Sequence, residues 1–230
     1  YPLRRQRQMC IRDRYQLHWP DRPLNVFSGL EYHHKDSNDV TPILETLDCL
    51  TDFVKEGKIK TIGLSNETAW GTFEFIKTAE MKNLEKIVSV QNPYNLLNRS
   101  YEVGISEISI RENVGLLAYS PLASGTLSGK YLDGKLPDGS RLKLFGDRYP
   151  RYRTPNSEPA IKEYIKIAKK FNLDVCQMAI KFCEIQPFVT SVIIGATKMD
   201  QLENNLKSHE IKLDDEVIQA INEVQLIYSN

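Results

Sequence analysis

A chain of 230 residues, 41% hydrophobic and 26% charged, can bury a sizeable core and is not disordered by composition. No apolar run approaches the ~18 residues of a membrane span. Formal net charge is zero, but residues 1–14 hold five arginines against one aspartate, which leaves the remainder mildly acidic and argues against nucleic-acid binding.

That arginine-rich stretch has no serine-rich amphipathic pattern and runs without a linker into an apolar strand. Residues 1–14 are therefore expected to be a foreign or misread segment, with one domain over 15–230. The next strand, from Tyr15, ends at His18-Trp19-Pro20. A helix then opens at Thr41 and Pro42, a capping side chain followed by proline at the first helical position. Ile43, Leu44, Leu47, Leu50, Phe53 and Val54 form its apolar stripe, and Gly57 suits its end.

Residues 59–65 read as a strand, 67–82 as a helix, 87–91 as a strand, about 101–112 as a helix and 115–120 as a strand. A Gly-, Pro- and Arg-rich stretch fills 123–157, a length usual for a lid or a disordered loop. Helices at about 158–171 and 174–186, the strand VTSVIIG, a helix over 198–207 and a last helix from Asp214 complete the order. Five strands each feeding a helix predict an α/β fold with a parallel sheet and helices outside it, as a barrel or an open sheet.

Cys10, Cys49, Cys176 and Cys183 lack metal or redox spacing and read as reduced thiols, mostly filling core, in a cytoplasmic protein. No GxGxxG follows a strand. GTLSGKY is one residue short of a P-loop and carries Tyr131 where magnesium needs Ser or Thr. Adjacent His33 and His34 diverge from one another and read as solvated loop residues, so no metal is expected.

Taken singly, His18 is more often a hydrogen-bonded histidine than a catalyst, Tyr119 a core aromatic, and Gln91 a satisfier of backbone groups. Their order is more telling. Polar residues end successive strands: His18, Ser65-Asn66, Gln91-Asn92 and Tyr119-Ser120, then Gly195-Ala196-Thr197 before a helix. Parallel strands present a site at their carboxyl ends. A glycine ahead of a helix N-terminus allows close backbone approach and offers N–H groups to a phosphate.

YQLHWP, IGLSN, VQNPYNLLNR, LLAYSPLASGTLSGKY and IIGATKMDQLENN, in this order, resemble the aldo-keto reductase superfamily, and most of all its bacterial NADP(H)-dependent Tas-type branch. The resemblance runs from Tyr15 almost to the end. It implies a (β/α)8 TIM barrel that binds NADP(H) across its C-terminal face and reduces an aldehyde or ketone. On that likeness Ser65, Asn66 and Gln91 hold the nicotinamide carboxamide, and Tyr119 stacks beneath its ring. Ser120, Pro121, Leu122, Ser124, Gly125 and Lys130 line the pyrophosphate path, with Arg141 closing over it. Gly195, Thr197, Lys198, Gln201, Asn204 and Asn205 take the adenosine phosphate and adenine. Gln201 stands where some relatives place an arginine, so preference for NADP over NAD rests on Lys198 and Arg141.

The family's proton-transfer group comprises a tyrosine, a lysine, an aspartate and a histidine. Only His18 carries over. The first three precede the HWP strand in the family and match nothing in residues 1–14, so the barrel is expected to be incomplete, lacking its first three βα units, and this chain inactive alone. The resemblance also carries an alternative, a non-catalytic NADP-binding subunit like the β subunits of potassium channels, against which His18 speaks. Oligomeric state is left open.

Overall fold

The structure, a computed structural model, describes residues 12–24, 32–146 and 150–229. Most of the segment expected to be foreign, with Cys10, lies outside the described residues. Five strands, β1 (Arg12–Leu17), β2 (Ile59–Ser65), β3 (Ile87–Pro93), β4 (Gly115–Tyr119) and β5 (Val189–Ile193), form one sheet in chain order. The β1–β2 and β2–β3 pairs are parallel. Among the described residues the α-helices are α1 (Ile43–Lys55), α2 (Ala69–Lys82), α3 (Ile105–Arg111), α4 (Arg141–Phe145), α5 (Ser157–Lys170), α6 (Val175–Glu184), α7 (Met199–Leu206) and α8 (Asp215–Ile227).

The chain divides into two compact units, Tyr1–Asn92 with Glu102–Leu117, and Pro93–Tyr101 with Ala118–Asn230. In the first, Ile62, Leu64 and Val90 are fully buried, as are Leu47 on α1 and Ile76 and Ala79 on α2. Each buried valine, leucine or isoleucine side chain of this set contributes about 1.5–3 kcal/mol. Leu44 was expected in the α1 stripe but is 42% exposed, because the buried face narrows to Leu47, Leu50 and Thr51. Thr41 does not cap α1 with its hydroxyl. Pro42 occupies the N-cap, and the Thr41 N–H donates to Asp21 Oδ2 at 2.9 Å. Gly57, at φ 72°, takes the left-handed turn that ends α1. β1 begins at Arg12, three residues before the expected start, its backbone paired with Ile59 and Thr61.

In the second unit Tyr94 is wholly buried, stacked on Phe182 at 6.1 Å and edge-on to Phe188 at 5.3 Å. Such aromatic pairs add about 0.5–1.5 kcal/mol beyond their burial. Asp174 caps α6, its Oδ1 accepting from the N–H groups of Cys176 and Gln177 at 2.8 and 3.0 Å. Arg99 reaches Asn222 at 2.7 Å while lying over the Phe182 ring. The stretch over 123–157 is not a structureless loop. It holds 3-10 turns at Ala123–Ser128, Leu132–Gly134 and Pro150–Tyr152, and the short α4. Among the described residues no helix is long and apolar enough to cross a membrane.

Of the described cysteines only Cys183 is buried. Cys49 is exposed and Cys176 half-buried, so the core-filling expectation holds for one of three. Cys49 lies off the buried stripe of α1, which accounts for its exposure.

Candidate functional site

In the first unit β2 and β3 end side by side, with Ser65 opposite Gln91. The Ser65 hydroxyl and the Asn66 N–H both donate to Gln91 O, at 2.8 and 3.0 Å. Asn66 has φ 55°, a left-handed corner that asparagine tolerates better than most side chains. That corner folds its side chain back, so that Nδ2 donates to His18 O at 2.9 Å and to Ser65 Oγ at 3.1 Å. Gln91 Oε1 accepts from Gln16 Nε2 at 2.9 Å, and among the described residues Gln91 Nε2 has no partner. His18 is exposed, its ring tilted against Trp19.

The main-chain carbonyls of His18 and Gln91 thus draw Ser65 and Asn66 together, while the His18 ring stays at the surface. The cluster offers an amide donor on Gln91 and an oxygen acceptor on Ser65. That donor set is the complement of a primary carboxamide, so these residues fit the nicotinamide end of the implied cofactor.

Behind this corner lies a group that sequence reasoning missed. Glu67 is buried, and both its carboxylate oxygens meet Arg22: Oε2 accepts from Nη1 at 3.1 Å and Oε1 from Nη2. The same Nη2 donates to Thr68 Oγ1 at 3.0 Å, and the Arg22 guanidinium lies over the Trp70 ring. The Thr68 N–H donates to Glu67 Oε1 at 2.7 Å. Asn92 pins the Glu67 backbone from β3: its Oδ1 accepts from the Glu67 N–H at 3.1 Å and its Nδ2 donates to Glu67 O at 2.7 Å. Truncating one partner of so buried a pair costs about 3–5 kcal/mol. The available signal was Gly71, a glycine inside α2 whose missing side chain leaves room for Glu67 and Arg22.

In the second unit β4 ends at Tyr119, and Tyr94 donates its N–H to Tyr119 O. Ser120 (φ 56°), Ala123 (49°), Ser124 (60°) and Gly125 (90°) all adopt the left-handed region. This tight cradle is closed by bonds from the Ala123 N–H and Asn95 Nδ2 to Ser120 O, at 2.8 and 2.9 Å. Pro121 is buried and Leu122 half-buried. Lys130 folds its amine over Gly125, within 3.0 Å of where a Cβ would stand, and over the Tyr131 ring. Arg141 is exposed as the first residue of α4. Burial raises the Tyr119 phenol above its ordinary pKa, opposed by the hydrogen bond and charge of Arg151. Burial and the Asp174 carboxylate push the Cys176 thiol up to about 11 against the pull of Lys130.

Gly195, Thr197 and Lys198 are exposed ahead of α7. The Thr197 N–H and hydroxyl donate to Gln201 Oε1, at 3.2 and 3.3 Å. A Cβ at Gly195 would meet no atom of the described residues within 4 Å, and its φ is not positive, so nothing among them demands glycine there. Asn204 joins the α6 cap, donating to Asp174 at 3.0 Å and accepting from Gln177 at 2.7 Å, while Asn205 is buried.

Residues 5–226 match the model of the aldo/keto reductase family. The chain is 46% identical over 217 residues to Protein tas of Escherichia coli, covering 94% of this chain and 62% of that protein. It is 39% identical over 207 residues to an aldo-keto reductase of Babesia bovis, covering 84% and 72% of the two. A Schizosaccharomyces pombe protein assigned by name to the voltage-gated potassium channel β subunits is 31% identical over 193 residues, covering 80% and 55%. The chain thus spans about three fifths of the length of Protein tas.

Proposed function

The chain belongs to the aldo/keto reductase family, and on that premise we propose that it binds NADPH and serves the reduction of an aldehyde or ketone by hydride transfer. The observation that carries this reading is the corner at Ser65, Asn66 and Gln91, whose donor and acceptor set matches a carboxamide. When bound, the dihydronicotinamide supplies the hydride.

Gln91 Nε2 would donate to the carboxamide oxygen, and Ser65 Oγ would accept from its nitrogen. Tyr119 covers one face of the ring and keeps water from it. Ser120, Pro121, Leu122, Ser124, Gly125 and Lys130 would follow the pyrophosphate, while Gly195, Thr197, Lys198, Gln201, Asn204 and Asn205 would take the adenosine end. Lys198 and Arg141 carry the preference for a 2′-phosphate. His18 orients the substrate oxygen. In this reading residues 15–230 are strands four to eight of a (β/α)8 barrel in a cytoplasmic protein. The tyrosine, lysine and aspartate that move the proton are not among the 230 residues, so this chain binds without turning over.

Titration of the chain with NADPH, followed by nicotinamide fluorescence, and with 2′,5′-ADP tests the reading. Saturable binding of both is expected, and failure of both overturns it. The likeness to the potassium channel β subunits supports a second reading, a non-catalytic NADP-binding subunit. A longer chain that supplies the three missing residues separates the two: NADPH oxidation with a nitrobenzaldehyde favours the reductase, and binding without oxidation favours the subunit.

A further inference from the structure

Residues 65 to 68 are held from two sides within the first unit. From β3, Gln91 O accepts from Ser65 and Asn66, and Asn92 grips both backbone groups of Glu67. From the segment after β1, His18 O accepts from Asn66 and Arg22 takes the Glu67 carboxylate. Asn66 sits in a left-handed conformation, which asparagine tolerates and which its surroundings here fix. The strongest of those surroundings is the buried ion pair, since a bidentate guanidinium–carboxylate contact fixes angle as well as distance. Arg22 is further oriented by Thr68 and by the Trp70 ring. Gly71 leaves the volume that the pair fills.

We propose that Arg22 and Glu67 are positioning residues: their ion pair holds the Ser65–Asn66 corner in the one conformation that presents the Ser65 oxygen, beside Gln91, to a carboxamide. The proposal rests on the cofactor reading above. Neither residue touches the ligand. They act by keeping Asn66 from relaxing out of the left-handed region, which would carry its side chain away from Ser65 and His18.

The test compares wild type with Glu67→Gln, Arg22→Gln and Arg22→Lys in two measurements. In the first, NADPH and 2′,5′-ADP affinities are measured side by side. Glu67→Gln and Arg22→Gln are expected to weaken NADPH about tenfold or more, the factor a loss of 1.4 kcal/mol gives. Their 2′,5′-ADP affinity should stay within about twofold of wild type, inside the scatter between independent sites. Arg22→Lys, which keeps the charge but not the fork, should recover part of the loss.

In the second, amide hydrogen exchange is followed at Asn66 and Glu67. It should quicken in both Gln variants while the Ile62 and Val90 amides stay unchanged. Equal losses of both ligands, or unchanged exchange at Asn66 and Glu67, overturn the proposal. If Glu67→Gln does not fold, the Arg22 variants, altered at the partly exposed end of the pair, carry the same comparison. Wild type binding neither ligand would overturn the cofactor reading itself, whereas the exchange measurement fails only if the ion pair does not hold the corner.

Discussion

The Arg151 guanidinium donates to the Tyr119 hydroxyl at 3.2 Å, so a cation from the last 3-10 turn of the long connection steadies the aromatic at the end of β4. Burial raises the Tyr119 pKa and Arg151 lowers it, burial being the larger effect. Arg151→Gln should therefore move the Tyr119 titration further up. Phenolate absorbance, taken as a difference from Tyr119→Phe, measures the shift, and a downward shift would contradict the balance drawn here.

Tyr119→Ala tests the stacking role. It should weaken NADPH several-fold or more while sparing 2′,5′-ADP, since one aromatic contact is worth about 0.5–1.5 kcal/mol. Equal losses of the two ligands would remove Tyr119 from the nicotinamide end.

Tyr164 donates its hydroxyl to Leu96 O at 3.0 Å, and burial pushes its pKa strongly up. The folded pKa lies above the unfolded one, near ~10. The neutral phenol's contribution is therefore fully present below that value and is lost as pH rises through the folded pKa. Tyr164→Phe should cost about 1–3 kcal/mol at neutral pH by leaving the Leu96 carbonyl unpaired. It should also flatten the alkaline loss of stability. Urea unfolding at neutral and alkaline pH measures both.

Glycine to alanine inside a helix ordinarily gains about 0.5–1 kcal/mol. At Gly71 the sign should reverse, because the new methyl would overlap Glu67 Oε1 and Arg22 Nη2. Both are ends of long side chains, so they swing aside and the ion pair is lost rather than the helix. A net loss of about 1–3 kcal/mol is expected. In a Glu67→Gln background most of that loss should vanish, which a double-mutant cycle by chemical denaturation reads directly.

The cysteines should label in the order of their exposure. Cys49 should react first with iodoacetamide. Cys176, with its thiol raised to about 11, should lag far behind, since thiolate is the reactive form. Cys183 should react only on unfolding. Peptide mass spectrometry over a time course checks the order, and Cys176 reacting as fast as Cys49 would refute the assigned burial.

Much of the sheet was legible because β2 and β3 are short apolar runs that stop at polar residues. The same stops marked Ser65, Asn66 and Gln91, which the structure joins by hydrogen bonds. Arg22 and Glu67 escaped because they lie 45 residues apart, one of them in a segment with no period. A charged pair that meets only through folding leaves no local spacing to read. The turns after β4 escaped for a different reason: Ala123 and Ser124 take positive φ, which local propensity assigns to glycine or asparagine. Leu44 misled because apolar spacing alone does not say how wide a helix face the neighbouring layer covers.

The Ser65 hydroxyl gives its only hydrogen to Gln91 O and takes one from Asn66, so a single lone pair remains for anything that arrives. A primary amide has a hydrogen to offer it. An ionised acid would set oxygen against oxygen. On the proposed reading, one hydrogen bond to a main-chain carbonyl thus equips this corner to refuse the deamidated, nicotinic acid form of a dinucleotide.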